Sequence, residues 1–220
     1  MTLVILHGWG QSSEFWQEFI SRFEDTKIIA LDLPGFGKEP IISPNWGIPE
    51  YANWVKEKIE AVNLKDVVLL GHSFGGRIAS YVASVNPNWL NELILYGAPC
   101  IYRPSKKTKL KIKTYKFLKT LGLKGKSNNQ ELTDADNKGL GKIFRKVVVF
   151  DQTEILKNIK VKTLLVWGEN DIECPIEIGK EINNLIPSSQ LIVLDNLGHN
   201  AHLENSNLFY GTIKNFIQNN

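Results

Sequence analysis

Six short apolar runs rich in valine, isoleucine and leucine punctuate the chain: TLVIL at 2–6, KIIAL at 27–31, DVVLL at 66–70, LILY at 93–96, TLLVW at 163–167 and LIVL at 191–194. Each is too short for a typical helix and nearly continuous in apolarity, which is the pattern of parallel strands buried on both faces. Between them, at 14–23, 49–62, 75–85, 177–185 and 205–217, apolar residues recur three or four apart, the spacing of amphipathic helices. Strand and helix alternate, so the pattern predicts the α/β class with a mainly parallel sheet.

The alternation lapses from Ala98 to about Lys160, where no strand pattern stands out. TKLKIKTYKFLKTLGL, from Thr108, places Leu110, Tyr115, Phe117, Leu118 and Leu121 roughly on one stripe among lysines and predicts a basic amphipathic helix. KGKSNNQELTDADNKGLGK after it is polar and glycine-containing, and predicts loop. At 220 residues the expectation is one domain, 1–220, with 98–160 inserted over one edge of the sheet.

Charge sharpens that division. The whole chain carries only +3, yet residues 100–150 hold 14 lysines and arginines against 3 acidic residues, a net +11 that leaves −8 on the rest. The ordinary reading of such a segment is a solvated lysine face. It also allows weak association with an anionic surface, or steering of anionic substrates, in which case kcat/KM for anionic esters falls as salt rises. No nucleic-acid-binding motif is present, and LGLKGKS is no phosphate loop, because Thr120 stands where that pattern needs its first glycine. The N-terminus has no basic leader or cleavage signal, and no window approaches the ~18 apolar residues of a membrane span. Cys100 and Cys174 form no metal or redox pair by spacing and point to a reducing compartment, with a single disulfide between them left open. A cytoplasmic protein is expected.

The candidate chemistry centres on Gly71-His72-Ser73-Phe74-Gly75, which follows the predicted strand ending at Leu70 and opens a predicted helix. A serine in so sharp a turn projects its hydroxyl at the C-terminal end of the sheet, and side chains two residues to either side would clash there, hence the glycines. The helix start behind it aims N–H groups at the oxygen where negative charge develops in acyl transfer. Serine alone is a poor nucleophile and needs a histidine base and an orienting acid. Of four histidines, His7 and His72 read as turn or packing residues; His199 follows Gly198 in the loop after the last strand, with His202 the alternative. The acid is Asp171, just after the strand at 163–167, with Glu169 as alternative; Asp195 and Asp32 fit less well. Ser73, Asp171 and His199 then follow in the order such a serine takes.

With these residues assembled, the chain resembles the α/β-hydrolase superfamily over nearly its whole length. HGWG at 7–10 is similar to its oxyanion loop, DLPGFGK at 32–38 to its D-x-P-G-x-G turn and GHSFGG at 71–76 to its nucleophile elbow; WGENDIECP at 167–175 and GHNAHLEN at 198–205 resemble its acid and histidine loops. The resemblance implies a minimal six-stranded sheet flanked by helices, with a helical lid at 98–160. It implies Ser73 as nucleophile, His199 as base, Asp171 as orienter and the backbone N–H groups of Trp9 and Phe74 as oxyanion hole. The activity implied is hydrolysis of a small-molecule carboxylic ester, or a thioester or amide, through an acyl-enzyme with no metal or organic cofactor. Arg77 gives an alternative: GGR after the serine also resembles the menaquinone-pathway lyase that eliminates pyruvate, where an arginine here binds a substrate carboxylate. A second alternative is a non-catalytic small-molecule receptor, since such proteins can keep the same residues.

Overall fold

The structure is a computed structural model that describes residues 1–104 and 130–218. Six strands form one sheet: β1 (Thr2–Leu6), β2 (Lys27–Leu31), β3 (Val67–His72), β4 (Leu90–Tyr96), β5 (Lys162–Gly168) and β6 (Ser189–Leu194). Their order is β2-β1-β3-β4-β5-β6, and every pairing is parallel. All six apolar runs are strands, several longer than the runs themselves.

The period of two sorts each strand's side chains into two layers. Val4, Leu6, Leu69, Leu95 and Trp167 face α2 (Ile48–Ala61), α3 (Phe74–Ser84) and, counting helices in chain order, α7 (Ile176–Leu185). Leu3, Ile5, Leu70, Ile94 and Val166 face the opposite layer, built from Trp16, Phe19 and the C-terminal helix α9 (Ser206–Gln218). Burial of each such side chain contributes about 1.5–3 kcal/mol against the entropy of ordering the chain. The outer strand β2 is only partly buried, whereas β1 and β3 are buried along their whole length.

Two expected elements differ. The predicted helix at 14–23 is a 3₁₀ turn, Ser13–Trp16, followed by a short α1 (Gln17–Ile20). Arg22 N–H and Phe23 N–H bond three residues back, to Phe19 and Ile20, and the Ser21 hydroxyl takes the Glu18 carbonyl, so the turn tightens instead of propagating. The polar stretch read as loop contains α4 (Gln130–Asn137), closed by Gly139 at φ 75° with Leu140 N–H on the Ala135 carbonyl. Helices α5 (Gly141–Val147) and α6 (Thr153–Leu156) complete the described part of 98–160, while the predicted basic helix around 110–121 lies outside the described residues. Short α8 (Ala201–Glu204) precedes α9.

Chain order reverses between β1 and β3, since β2 lies on one side of β1 and the later strands on the other. A crevice opens at the carboxyl ends of strands at such a switch point, where open α/β sheets bind ligands.

Candidate functional site

The loop after β1 and the turn after β3 meet at that crevice. Ser73 sits between β3 and α3 at φ 50°, ψ −110°, a strained conformation for a residue with a side chain. The turn closes because its glycines allow backbone contact: a Cβ on Gly71 would lie 2.4 Å from the Gly75 carbonyl oxygen, and one on Gly75 only 2.2 Å from that of Leu6. Trp9 N–H and Phe74 N–H donate to no described residue, and both residues line the cavity that Ser73 enters. Trp9 is held edge-on by Phe36, Phe74 and Phe144 at 5.0–5.2 Å.

Asp171 follows β5. Its Oδ1 accepts from the N–H groups of Glu173 (3.0 Å) and Cys174 (2.8 Å), which leaves Oδ2 to accept from His199 Nδ1 at 2.7 Å. His199 is held through its backbone as well: its carbonyl accepts from Tyr96 Oη (2.7 Å) and lies 3.0 Å from His72 Nε2. Burial is the largest influence on the imidazole and pulls its pKa down, but the hydrogen bond and charge of Asp171, with the charges of Glu173 and Glu131, outweigh it and hold the pKa above its ordinary value. Burial drives the other buried histidines the opposite way, His72 well down and His202 to about 4.

Ser73, His199, Trp9, Phe74 and Arg77 share one cavity of about 550 Å³, with Phe144, Val147 and Val148 from the 98–160 region forming a wall and Glu131 and Glu173 at its lining. Asp171 stands behind His199, and no hydrogen bond joins Ser73 Oγ to His199. The alternatives lie elsewhere. His202 stacks on Trp16 at 4.4 Å, Glu169 Oε2 accepts from Asn196 N–H, Asp32 accepts from Ser13 and Lys38 N–H groups, and His7 Nε2 accepts from Leu33 N–H. Arg77 is no surface residue: it is buried, its Nη1 donates to the carbonyls of Val147 (2.7 Å) and Phe150 (2.9 Å), and no described carboxylate pairs with it. Cys100 and Cys174 are free, buried thiols, which rules out the disulfide left open by spacing. Among the described residues no helix is long and apolar enough to cross a membrane.

A family model described as alpha/beta hydrolase fold matches residues 2–119, more than half of the sequence. The chain belongs to the α/β-hydrolase family. Within it, the 2-hydroxy-6-oxononadienedioate/2-hydroxy-6-oxononatrienedioate hydrolase 2 of Pseudomonas putida is 28% identical over 252 residues, covering 99% of this chain and 87% of that one. The pimeloyl-[acyl-carrier protein] methyl ester esterase of Wigglesworthia glossinidia brevipalpis is 28% identical over 249 residues, covering 99% and 94%. Among solved structures, MenH from S. aureus superposes with a TM-score of 0.78 at 25% identity, covering 100% of this chain and 94% of that one. Relatives named as hydrolases and esterases mark this α/β-hydrolase as an enzyme of that class.

Sequence reasoning did not find Tyr96, Glu131 or Glu173 as neighbours of His199. Tyr96 carried a signal, a tyrosine closing the otherwise aliphatic run 93–96 at the sheet's carboxyl end. Glu131 carried none, because its helix was not visible.

Proposed function

We propose that the protein is a serine hydrolase that cleaves a carboxylic ester of a small molecule. The observation that carries this reading is the 2.7 Å Asp171–His199 contact beside a strained Ser73 in one cavity. Ser73 Oγ attacks the substrate carbonyl while His199 Nε2 accepts its proton, and Asp171 fixes the tautomer and stabilises the imidazolium. The tetrahedral oxyanion accepts from Trp9 and Phe74 N–H groups, each worth about 3 kcal/mol in the transition state. His199 returns the proton to the leaving alcohol, then activates water to release the acid. The Ser73–His199 hydrogen bond, not made in the structure, forms as substrate seats. Residues 98–160 act as the lid that shapes the acyl pocket, through Phe144, Val147 and Val148.

Turnover of p-nitrophenyl esters of graded chain length tests this: an initial burst of nitrophenol is expected, and Ser73→Ala should lose on the order of 10⁴-fold or more in kcat. A folded Ser73→Ala variant with unchanged turnover sinks the proposal.

Arg77 supports a second reading. A buried guanidinium at the cavity, without a carboxylate partner among the described residues, fits a substrate carboxylate, as pyruvate elimination from a cyclohexene carboxylate would require. That reaction needs no acyl-enzyme, so the absence of a burst with esters, together with pyruvate release from such a substrate, distinguishes the two.

A further inference from the structure

His199 is bracketed by carboxylates on both ring nitrogens. Asp171 Oδ2 takes Nδ1 at 2.7 Å, and Glu173 Oε2 lies 3.7 Å from Nε2, the atom that accepts the serine proton in the proposed mechanism. The turn that presents Asp171 also fixes where Glu173 begins, because Glu173 N–H donates to Asp171 Oδ1. Glu173 keeps 59% of its side chain exposed, so it meets both the imidazole and anything entering the cavity. A second carboxylate, Glu131 at the start of α4, lines the same cavity and faces both His199 and Glu173.

In acyl transfer Nε2 hands its proton to the leaving-group oxygen, so the alcohol half of the ester must lie against Nε2 and hence against Glu173. We propose that Glu173, reinforced by Glu131, sets the charge preference of this site for the alcohol portion of its substrate, favouring cationic alcohols over neutral ones and disfavouring anionic ones. This rests on the serine hydrolase reading and extends it to a part of the substrate that Arg77, with its opposite charge, does not explain. The preference belongs to partly exposed charges, so it is modest and screened: about fivefold between a cationic and an isosteric neutral alcohol at low ionic strength, shrinking as salt rises.

The test uses three esters sharing the acyl group that wild type turns over fastest as its p-nitrophenyl ester. Their alcohols are choline, the neutral isostere 3,3-dimethylbutanol and the anion glycolate. Wild type should rank their kcat/KM in that order. In Glu173→Gln the choline advantage should fall toward unity and the glycolate ester should gain; Glu173→Asp should keep the ranking, and Glu131→Gln should reduce it in part. A merely structural role for Glu173 would lower all three rates together and leave the ratios alone, and that result overturns the proposal. So does a wild-type preference for the glycolate ester. Turnover of the neutral ester, lost in Ser73→Ala, separates these failures from failure of the hydrolase reading: if no ester is cleaved, that reading falls and this one with it.

Discussion

Gly75→Ala puts the geometry of the turn on trial. The new methyl would lie 2.2 Å from the Leu6 carbonyl oxygen, 2.6 Å from its carbon and 2.7 Å from the His7 carbonyl oxygen, where side-chain carbons essentially never approach within 3.0 Å. Those atoms are backbone at the end of β1, so no side chain can swing aside. Relief requires α3 and the β1 loop to separate by roughly 1 Å, breaking the Gly75 N–H bond to the His7 carbonyl and moving Trp9 N–H relative to Ser73. Overpacking of this kind costs about 1–3 kcal/mol, or roughly 3–10 °C in Tm for a chain of this size. A displacement of that size costs about 10²-fold in kcat/KM. Gly211→Ala is the matched control: it lies inside α9 with nothing within 4 Å of the added carbon, and should stabilise by about 0.5–1 kcal/mol. Scanning calorimetry and ester kinetics on both variants decide the matter. Gly75→Ala activity within about threefold of wild type, far short of the ~10²-fold expected for a displaced donor, would refute the argument.

Three further predictions concern the buried histidines. Tyr96→Phe removes the 2.7 Å donor to the His199 carbonyl and the 3.3 Å acceptor of His202 N–H; stability should fall by about 1–2 kcal/mol, and kcat more than KM, with an unchanged kcat arguing against a positioning role. In a proton NMR titration His199 should be the histidine that titrates above 6.5, while His202 stays neutral down to about 4. Because the unfolded His202 binds its proton near 6.5, its contribution to stability is present above that pH and is lost as pH falls through about 4; His72 acts in the same direction and His199 in the opposite one. The melting temperature should therefore fall between pH 6.5 and 4, and a flat profile there would contradict the burial of these rings.

How much the sequence disclosed follows from the range of each interaction. Strands β1, β3 and β5 are buried on both faces, so their burial is written in consecutive residues such as Val4, Ile5 and Leu6. The Ser73 turn was legible in part for the same reason, since the atoms that demand glycine at 71 belong to Gly75 and Gly76 within the motif, whereas those that demand it at 75 belong to Leu6 and His7 at the end of β1. Helix α4 was not, because Ala135 is its one fully buried residue and the helix is held by its glycine-closed end more than by an apolar stripe. The burial of Arg77 was not legible, because its partners are main-chain carbonyls at 147 and 150, which leave no trace in side-chain pattern. Glu173 carried no signal in the sequence; only the fold sets its carboxylate against Nε2 of a histidine 26 positions on.

The central claim is that Ser73 is an activated nucleophile, and intact mass after exposure to a fluorophosphonate probe tests it most directly. A single adduct on wild-type protein, absent from Ser73→Ala, is the predicted result. An unmodified folded wild type, or an adduct that survives in Ser73→Ala, would contradict it.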